Sequence, residues 1–315
     1  MFYKNKKVLV TGAGGLVGSQ VAKMLVEQGA IVRASYRGRE VPSWVGDVEK
    51  VKADFMNIED VKKCVKGMDI VFVCSANTSG AGVMAHDPLQ HVTPNLIMNS
   101  TLMEQSYKAG VDRFFFVSSA TTYPPADYPI KESEVFDGEP YKTYFGVGWM
   151  KRYTEILAQF YQRSNMMNIA IVRPANIYGV QGDFTDESGH VLPALIRRAL
   201  EKQTPYEVWG NPDVVRDFTH SVDMARACLD VVEHYAVCDP INIASGNLVT
   251  IGESVDLILK CADHNVTPQY DESKPVTIQY RALDTSKAKE VIGYEPTISF
   301  EDGIQETVDW IRENM

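Results

Sequence analysis

Residues 7–18, with the sequence KVLVTGAGGLVG, decide the fold of this chain. A β-branched apolar run is followed by glycines at positions 12, 15 and 18, and then by a segment, residues 16–28, whose apolar positions have helical spacing. The first glycine permits a tight turn, the second lets a pyrophosphate approach the backbone, and the third lets the helix pack closely on the strand. The stretch therefore predicts a strand, a turn and a helix that together bind a dinucleotide through the helix N-terminus.

The same alternation of short apolar runs and helical patterns continues to about residue 174. Strands are predicted at residues 7–11, 30–35, 48–53, 68–75, 113–119 and 168–173, and helices at 16–28, 59–65, 93–109 and 148–163. Alternation of this kind is typical of right-handed β-α-β units. It predicts an α/β fold, a Rossmann-type doubly wound parallel sheet with helices on both faces.

Beyond residue 174 the pattern becomes irregular, with longer loops and more prolines. We expect residues 1–175 to form the dinucleotide-binding domain and residues 176–315 to form a smaller substrate lobe. The run DPINIA at residues 239–244 predicts one more strand. The lobe is therefore expected to interleave with the sheet.

Composition excludes several classes of protein. Of 315 residues, 45% are hydrophobic and 23% charged, with 31 Lys and Arg against 41 Asp and Glu, a net charge of −10. No basic cluster interrupts this balance, which argues against nucleic acid or an anionic membrane as partner. Five widely spaced cysteines without a C-x-x-C pair favour reduced thiols and no metal site. With no signal peptide and no apolar run of about 18 residues, a cytoplasmic protein is expected.

The glycine spacing G-x-x-G-x-x-G and five later motifs carry a family resemblance. The motifs are SSATTYP, RPANIYG, VRDFTHSVDMA, DTSKAKEVIGYEP and the Asp54 of KADFMN. Together they resemble the extended short-chain dehydrogenase/reductase (NAD-dependent epimerase/dehydratase) family, and within it the GDP-fucose synthase-like nucleotide-sugar enzymes. The resemblance covers nearly the whole chain. It implies hydride transfer at the C4 position of a nucleotide-diphosphate sugar, GDP being favoured as the nucleotide.

The resemblance also implies a set of residues that bind the cofactor. These are Gly12, Gly15, Leu16, Val17, Gly18, Arg37, Arg39, Asp54, Phe55, Ser75, Ala76, Asn77, Lys151, Pro174, Asn176 and Ile177. NAD requires a carboxylate after the second strand, whereas the 2′-phosphate of NADP requires arginine. That segment offers two arginines and no acid before Glu40, which favours NADP over NAD. The alternatives are that both arginines are solvated and that Asp54 caps a helix.

The catalytic pattern of the family has one gap here. Family members carry Tyr and Lys four residues apart on one helix, so that the ammonium assists the phenol that transfers the proton. Lys151 is present, but Val147 occupies the tyrosine position. Either another group moves the proton or Val147 is an introduced substitution. The catalytic candidates are Ser119, Thr121, Tyr144, Lys151 and His190, with Tyr123, Tyr178 and relayed water as further proton carriers.

The substrate is expected to contact Ser119, Asn176, Val191, Trp209, Arg216 and Arg281, the two arginines holding the diphosphate. An ion pair with Asp217 is the alternative role for Arg216. In relatives two helices form a four-helix dimer interface, so a homodimer is expected from apolar side chains at Leu96, Met103, Tyr107, Tyr153, Leu157 and Phe160. A catalytically silent binding protein of the same fold is the competing hypothesis, and Val147 is the feature in its favour.

Overall fold

The computed structural model describes residues 1–78, 89–182, 184, 191–274 and 278–315. The first half contains β1 (Lys7–Thr11), α1 (Leu16–Glu27), β2 (Ile31–Tyr36), β3 (Glu49–Lys52), α2 (Ile58–Val65), β4 (Ile70–Val73), α3 (Leu89–Lys108), β5 (Arg113–Val117), α4 (Phe145–Arg163), β6 (Asn168–Pro174) and β7 (Asn176–Tyr178). The second half contains α5 (Val191–Leu200), β8 (Tyr206–Trp209), β9 (Val215–His220), α6 (Ser221–His234), β10 (Ile241–Ile243), β11 (Leu248–Thr250), α7 (Ile251–Cys261), β12 (Pro268–Asp271), β13 (Tyr280–Arg281), α8 (Ser286–Ile292) and α9 (Phe300–Asn314).

Seven parallel strands form the central sheet, in the order β3-β2-β1-β4-β5-β6-β10. Its strands are apolar on both faces because helices cover both. In β5, for example, Phe115 packs with α1 and α6 on one face, while Phe114 and Phe116 pack toward α2, α3 and α4 on the other. The predicted Rossmann-type doubly wound sheet is confirmed.

The remaining strands lie in two small sheets of the C-terminal half. Strand β9 is flanked by β11 and β13 and also pairs with β7, and β8 pairs with β12. Their apolar side chains pack with α5, α7 and α9 into a core of their own. The chain nevertheless returns to the central sheet, since α6 packs on α1 and β10 pairs with β6.

Two helices begin earlier than the sequence predicts. Helix α3 begins at Leu89 rather than at residue 93, ahead of the Thr93-Pro94 start signal, and α4 begins at Phe145 rather than at residue 148. Glycines at 146 and 148 let the first turn of α4 pack closely on its neighbours, and a Cβ at Gly146 would lie 2.9 Å from Val92 Cγ2. A Cβ at Gly148 would lie 2.5 Å from the carbonyl oxygen of Thr121, which only glycine allows.

A chain of buried polar groups joins α4 to the sheet. The guanidinium of Arg173 on β6 donates two bonds to the Glu155 carboxylate on α4, Nε to Oε1 at 3.0 Å and Nη2 to Oε2 at 2.6 Å. The hydroxyl of Ser118, which follows β5, also donates to Glu155. Arg173 Nη1 donates to the hydroxyl of Tyr123 at 2.9 Å, and that hydroxyl donates to Asn242 on β10 at 2.6 Å. Four separate parts of the chain thus meet at one carboxylate–guanidinium pair.

We expect the substitution Arg173→Met to lower the free energy of unfolding by about 3–5 kcal/mol, because it leaves the Glu155 charge buried without its partner. Urea denaturation measures this change. The matched control is Arg312→Met, which removes an exposed pair with Asp309 and should cost at most about 1 kcal/mol. Adding Glu155→Leu to Arg173→Met should restore part of the loss. A single substitution no more costly than the control would contradict the expectation.

Candidate functional site

The loop between β1 and α1 is shaped to receive a phosphate. Gly12 has a φ of +66°, and a Cβ there would lie 2.9 Å from the Cα of Ser75; a Cβ at Gly18 would lie 2.3 Å from the Gly12 carbonyl oxygen. The residue before the first turn of α1 is Gly15, and no side chain caps the helix there. The N-terminal N–H groups of Leu16 and Val17 are therefore not covered by a capping side chain, as phosphate binding requires.

The segment after β4 is held against this loop. The hydroxyl of Thr11 donates to Ser75 Oγ at 2.9 Å and accepts from the backbone N–H of Ser75 at 3.1 Å. Further on, Asn95 of α3 fixes Asn77, accepting from its backbone N–H at 2.8 Å and donating to its carbonyl at 2.9 Å. The predicted cofactor residues Ser75, Ala76 and Asn77 thus form a fixed wall beside the glycine loop. Asn95 was missed, although an asparagine on the apolar face of a helix is a signal for such a role.

The two arginines after β2, Arg37 and Arg39, are exposed to solvent, but both also make hydrogen bonds within the protein. Arg37 Nη2 donates to Asn77 Oδ1 at 3.0 Å. Arg39 Nη1 donates to the carbonyl oxygens of Gln181 at 2.5 Å and Gly182 at 2.8 Å. Both guanidiniums therefore connect the end of β2 to other parts of the chain, Arg37 to the segment after β4 and Arg39 to the segment after β7.

Asp54 does not cap α2, which corrects one alternative drawn from the sequence. The cap is Asn57, whose Oδ1 accepts from the backbone N–H of Glu59 at 3.0 Å. The Asp54 carboxylate instead accepts from the backbone N–H of Met56 at 3.0 Å, and Phe55 between them is buried. This turn follows β3, the strand next to β2 at the edge of the sheet.

Ser119 and Lys151 lie at the carboxyl end of β5. Lys151 Nζ donates to the carbonyl of Val117 at 2.7 Å and lies 4.6 Å from the centre of the Phe116 ring. Burial lowers the pKa of this ammonium to about 8, although the nearby Glu155 carboxylate acts in the opposite direction. Ser119 Oγ accepts from the backbone N–H of Thr121 at 3.1 Å.

Val147 is on α4, one turn before Lys151 and on the same face of the helix. Its side chain carries no group that can transfer a proton. The hydroxyl of Thr121 is buried and has no hydrogen-bond partner among the described residues. A buried hydroxyl without a partner is costly, which favours a ligand hydroxyl as its partner.

Arg216 and Arg281 lie side by side on β9 and β13, where the register pairs them directly. Both are buried, and burial lowers the pKa of Arg216 to about 10 and also that of Arg281. Arg281 Nη1 donates to the carbonyl of Ala120, but its Nη2 has no partner among the described residues. Tyr144 lies with its ring 5.6 Å from the Arg281 guanidinium. Two neighbouring buried guanidiniums have the charge and the donor geometry that suit a dianion.

The alternative pairing of Arg216 with Asp217 finds no support. Side chains of adjacent strand residues point to opposite faces, and the Asp217 carboxylate accepts from the backbone and hydroxyl of Ser245 and from the backbone of Gly246. Arg216 therefore faces the side of β9 on which Arg281 and Tyr144 lie.

Two tyrosines that the sequence suggested as proton carriers, Tyr123 and Tyr178, are buried and make structural contacts instead. Tyr123 is fully buried in the Glu155–Arg173 network, and burial raises its pKa. Tyr178 packs edge-on against Phe218 and His220, and burial raises its pKa as well.

The other predicted residues take the following places. Pro174 ends β6; Asn176 and Ile177 begin β7, which pairs with β9. Val191 is exposed at the start of α5, and Trp209 is half-exposed at the end of β8 with Lys274 Nζ 5.6 Å from its ring centre. His190 lies outside the described residues. The structure thus brings Ser119, Thr121, Lys151, Tyr144, Arg216 and Arg281 together, while Trp209 lies on a separate two-stranded sheet.

The parallel sheet, with helices on both faces and the glycine loop at the carboxyl end of β1, defines a Rossmann-type α/β protein. The model of one family, described as the NAD dependent epimerase/dehydratase family, matches residues 8–244. The chain belongs to that family, as the motifs predicted.

Curated relatives and solved structures extend this result over the whole chain. GDP-L-fucose synthase 1 from Arabidopsis thaliana is 29% identical over 323 residues, covering 99% of this chain and 95% of the relative. GDP-mannose 3,5-epimerase 1 from Oryza sativa subsp. japonica is 27% identical, covering 98% and 82%. The structure of UDP-glucose 4-epimerase from Thermotoga maritima superposes with a TM-score of 0.86 at 26% identity, covering 98% and 99%. These relatives are nucleotide-sugar epimerases and synthases.

We expect one lysine to titrate with a pKa of about 8, because the Lys151 ammonium is buried. NMR of the protein reductively methylated with ¹³C would show this titration, and Lys151→Arg should remove the signal. The folded chain releases this proton at lower pH than the unfolded chain, where lysine has a pKa of about 10.4. Stability relative to Lys151→Met should therefore rise as the pH increases from about 8 to about 10.4. Ordinary titration of every lysine would contradict this assignment.

Proposed function

We propose that this protein is an NAD(P)-dependent nucleotide-sugar oxidoreductase that transfers hydride at C4 of the sugar, as a dehydrogenase, keto-reductase or epimerase. The contact between Arg281 and the carbonyl of Ala120 carries the proposal. Ala120 follows Ser119, so a site for a diphosphate adjoins the hydroxyl that would bind the reacting sugar hydroxyl. A sugar joined to a diphosphate fits this arrangement. The relatives favour a GDP-sugar, and residues 1–175 and 176–315 would bind cofactor and substrate respectively.

The chain's own residues can perform the binding and the positioning. The nicotinamide cofactor would supply or accept the hydride. Ser119 would hold the reacting hydroxyl, Lys151 would bind the nicotinamide ribose, and Arg216 and Arg281 would hold the diphosphate. NADP is favoured over NAD because Arg37 and Arg39 follow β2 without a carboxylate before Glu40.

The proton must move without the usual phenol, because Val147 cannot carry it. Two titratable groups flank this position: Lys151, one turn further along α4, and Tyr144, which directly precedes α4 and lies beside Arg281. We propose that Tyr144 or a water held by Lys151 and Ser119 carries the proton. A silent binding protein is the second candidate, and Val147 is the observation that favours it.

A panel of GDP-, UDP- and dTDP-sugars, mixed with NADP(H) or NAD(H), tests the function through the change in nicotinamide absorbance. We expect turnover with one nucleotide class and its near-complete loss in Lys151→Met. Val147→Tyr should raise the rate by up to about 10²–10⁴-fold, the usual contribution of a positioned acid or base. A folded wild-type chain that binds dinucleotide but gives no turnover with any sugar would favour the silent protein. A lower rate in Val147→Tyr would show that another group has taken over the proton.

We also propose a homodimer formed through α3 and α4, in the cytoplasm. The two helices pack together, with the rings of Tyr107 and Tyr161 5.9 Å apart. Met103, one of the residues expected at this surface, is buried in the core instead, because it faces the sheet. Exposed apolar side chains nevertheless follow the outer face of both helices: Ile97, Tyr107, Phe145, Trp149, Tyr153, Ile156 and Phe160.

Among the described residues, no helix is long and apolar enough to cross a membrane.

The double substitution Tyr153→Glu and Phe160→Glu should convert the dimer to a monomer, because it buries two carboxylates in an apolar interface. Light scattering coupled to size exclusion measures the mass. The matched control is Ile31→Glu, an exposed apolar residue on β2, which should leave the mass unchanged. A wild-type chain that is monomeric at all concentrations would refute the dimer.

A further inference from the structure

Arg39 makes a contact that joins distant parts of the chain. It follows β2, yet its guanidinium binds the backbone carbonyls of Gln181 and Gly182, which follow β7. The two bonds, of 2.5 Å and 2.8 Å, come from one nitrogen. Arg37, two residues earlier, donates to the side-chain amide oxygen of Asn77 and to no other group among the described residues.

The backbone at Arg39 is fixed against the glycine loop. A Cβ at Gly14 would lie 2.1 Å from the carbonyl oxygen of Arg39 and 2.8 Å from that of Glu40, so only glycine fits between them. This explains a glycine that neither the turn nor the helix packing of the loop requires. The backbone of Arg39 therefore lies beside the glycine loop.

The other end of the contact is fixed as well. A Cβ at Gly179 would lie 2.5 Å from Ser221 Oγ, so the backbone after β7 rests on the first residue of α6. Helix α6 packs against α1, the helix that follows the glycine loop. The Arg39 contact thus connects a segment that adjoins the glycine loop with a segment that rests on α6, and α6 in turn packs against α1.

We propose that Arg39 closes the cofactor site and sets the rate at which a dinucleotide enters and leaves, whereas Arg37 recognises the 2′-phosphate. This inference rests on the proposed dinucleotide binding. Arg39 Nη1 already bonds two backbone carbonyls, whereas Arg37 makes a single bond to the side-chain amide of Asn77, which can rotate away when a phosphate binds. Slow release of the cofactor suits a reaction in which the cofactor takes a hydride from the sugar and returns it to the same sugar, because the cofactor must stay bound between the two transfers.

Stopped-flow nicotinamide fluorescence, with NADPH and NADH as separate probes, tests these roles. A residue that closes the site slows entry and exit equally. In Arg39→Ala we expect the association and dissociation rate constants to rise together by about tenfold, roughly the effect of losing one charge-assisted hydrogen bond. The Kd of Arg39→Ala should stay within about twofold of the wild-type Kd for both NADPH and NADH. Arg37→Ala is the matched control and should raise only the dissociation rate of NADPH.

Hydrogen exchange without any dinucleotide provides a second measurement. The segment 176–182 should exchange faster in Arg39→Ala than in the wild type or in Arg37→Ala, because the contact to its carbonyls is lost.

Three results would overturn the proposal. Faster dissociation of NADPH alone in Arg39→Ala would make Arg39 a reader of the 2′-phosphate. Wild-type rate constants for both probes would show that the contact does not limit exchange. A wild-type chain that binds neither probe would refute the proposed function itself, whereas the first two results would leave that function standing.

Discussion

The buried pair between Glu155 and Arg173 is the interaction on which the site depends. It holds α4 against β6, and through Ser118 it also holds the end of β5. One turn before Glu155 on the same helix, Lys151 reaches the carbonyl of Val117. The relative positions of the lysine, the Ser119 turn and the sheet are thus set by a charge pair that cannot be left half-satisfied inside the protein.

The same pair extends into the C-terminal half. Tyr123 connects Arg173 to Asn242, whose amide donates to the carbonyls of Ile130 at 3.0 Å and Asp284 at 3.1 Å. Asp284 follows β13, the strand that carries Arg281. The buried network therefore links the helix that carries Lys151 with the segment that carries Arg281.

The parts of this protein that follow local rules could be predicted from the sequence. The apolar strands, the glycine loop and the placement of Lys151 depend on short-range patterns, and the resemblance pointed to Arg216 and Arg281. Contacts that depend on tertiary packing could not be predicted. The start of α4 was placed at residue 148 rather than at Phe145, because the Thr121 turn against which Gly148 packs lies 27 residues away in the chain. Arg173 was missed because it ends an apolar strand, although a charge in such a strand signals a buried partner.

Strand β10 has a consequence for how this protein is made. It supplies one edge of the central sheet, yet it is synthesised only after β7, β8, β9 and α6. Until residue 243 has left the ribosome, β6 is an exposed edge with unpaired backbone groups, the kind of edge that promotes aggregation. The N-terminal sheet therefore cannot complete its own folding during translation, and a fragment that ends near residue 175 would keep the exposed edge permanently.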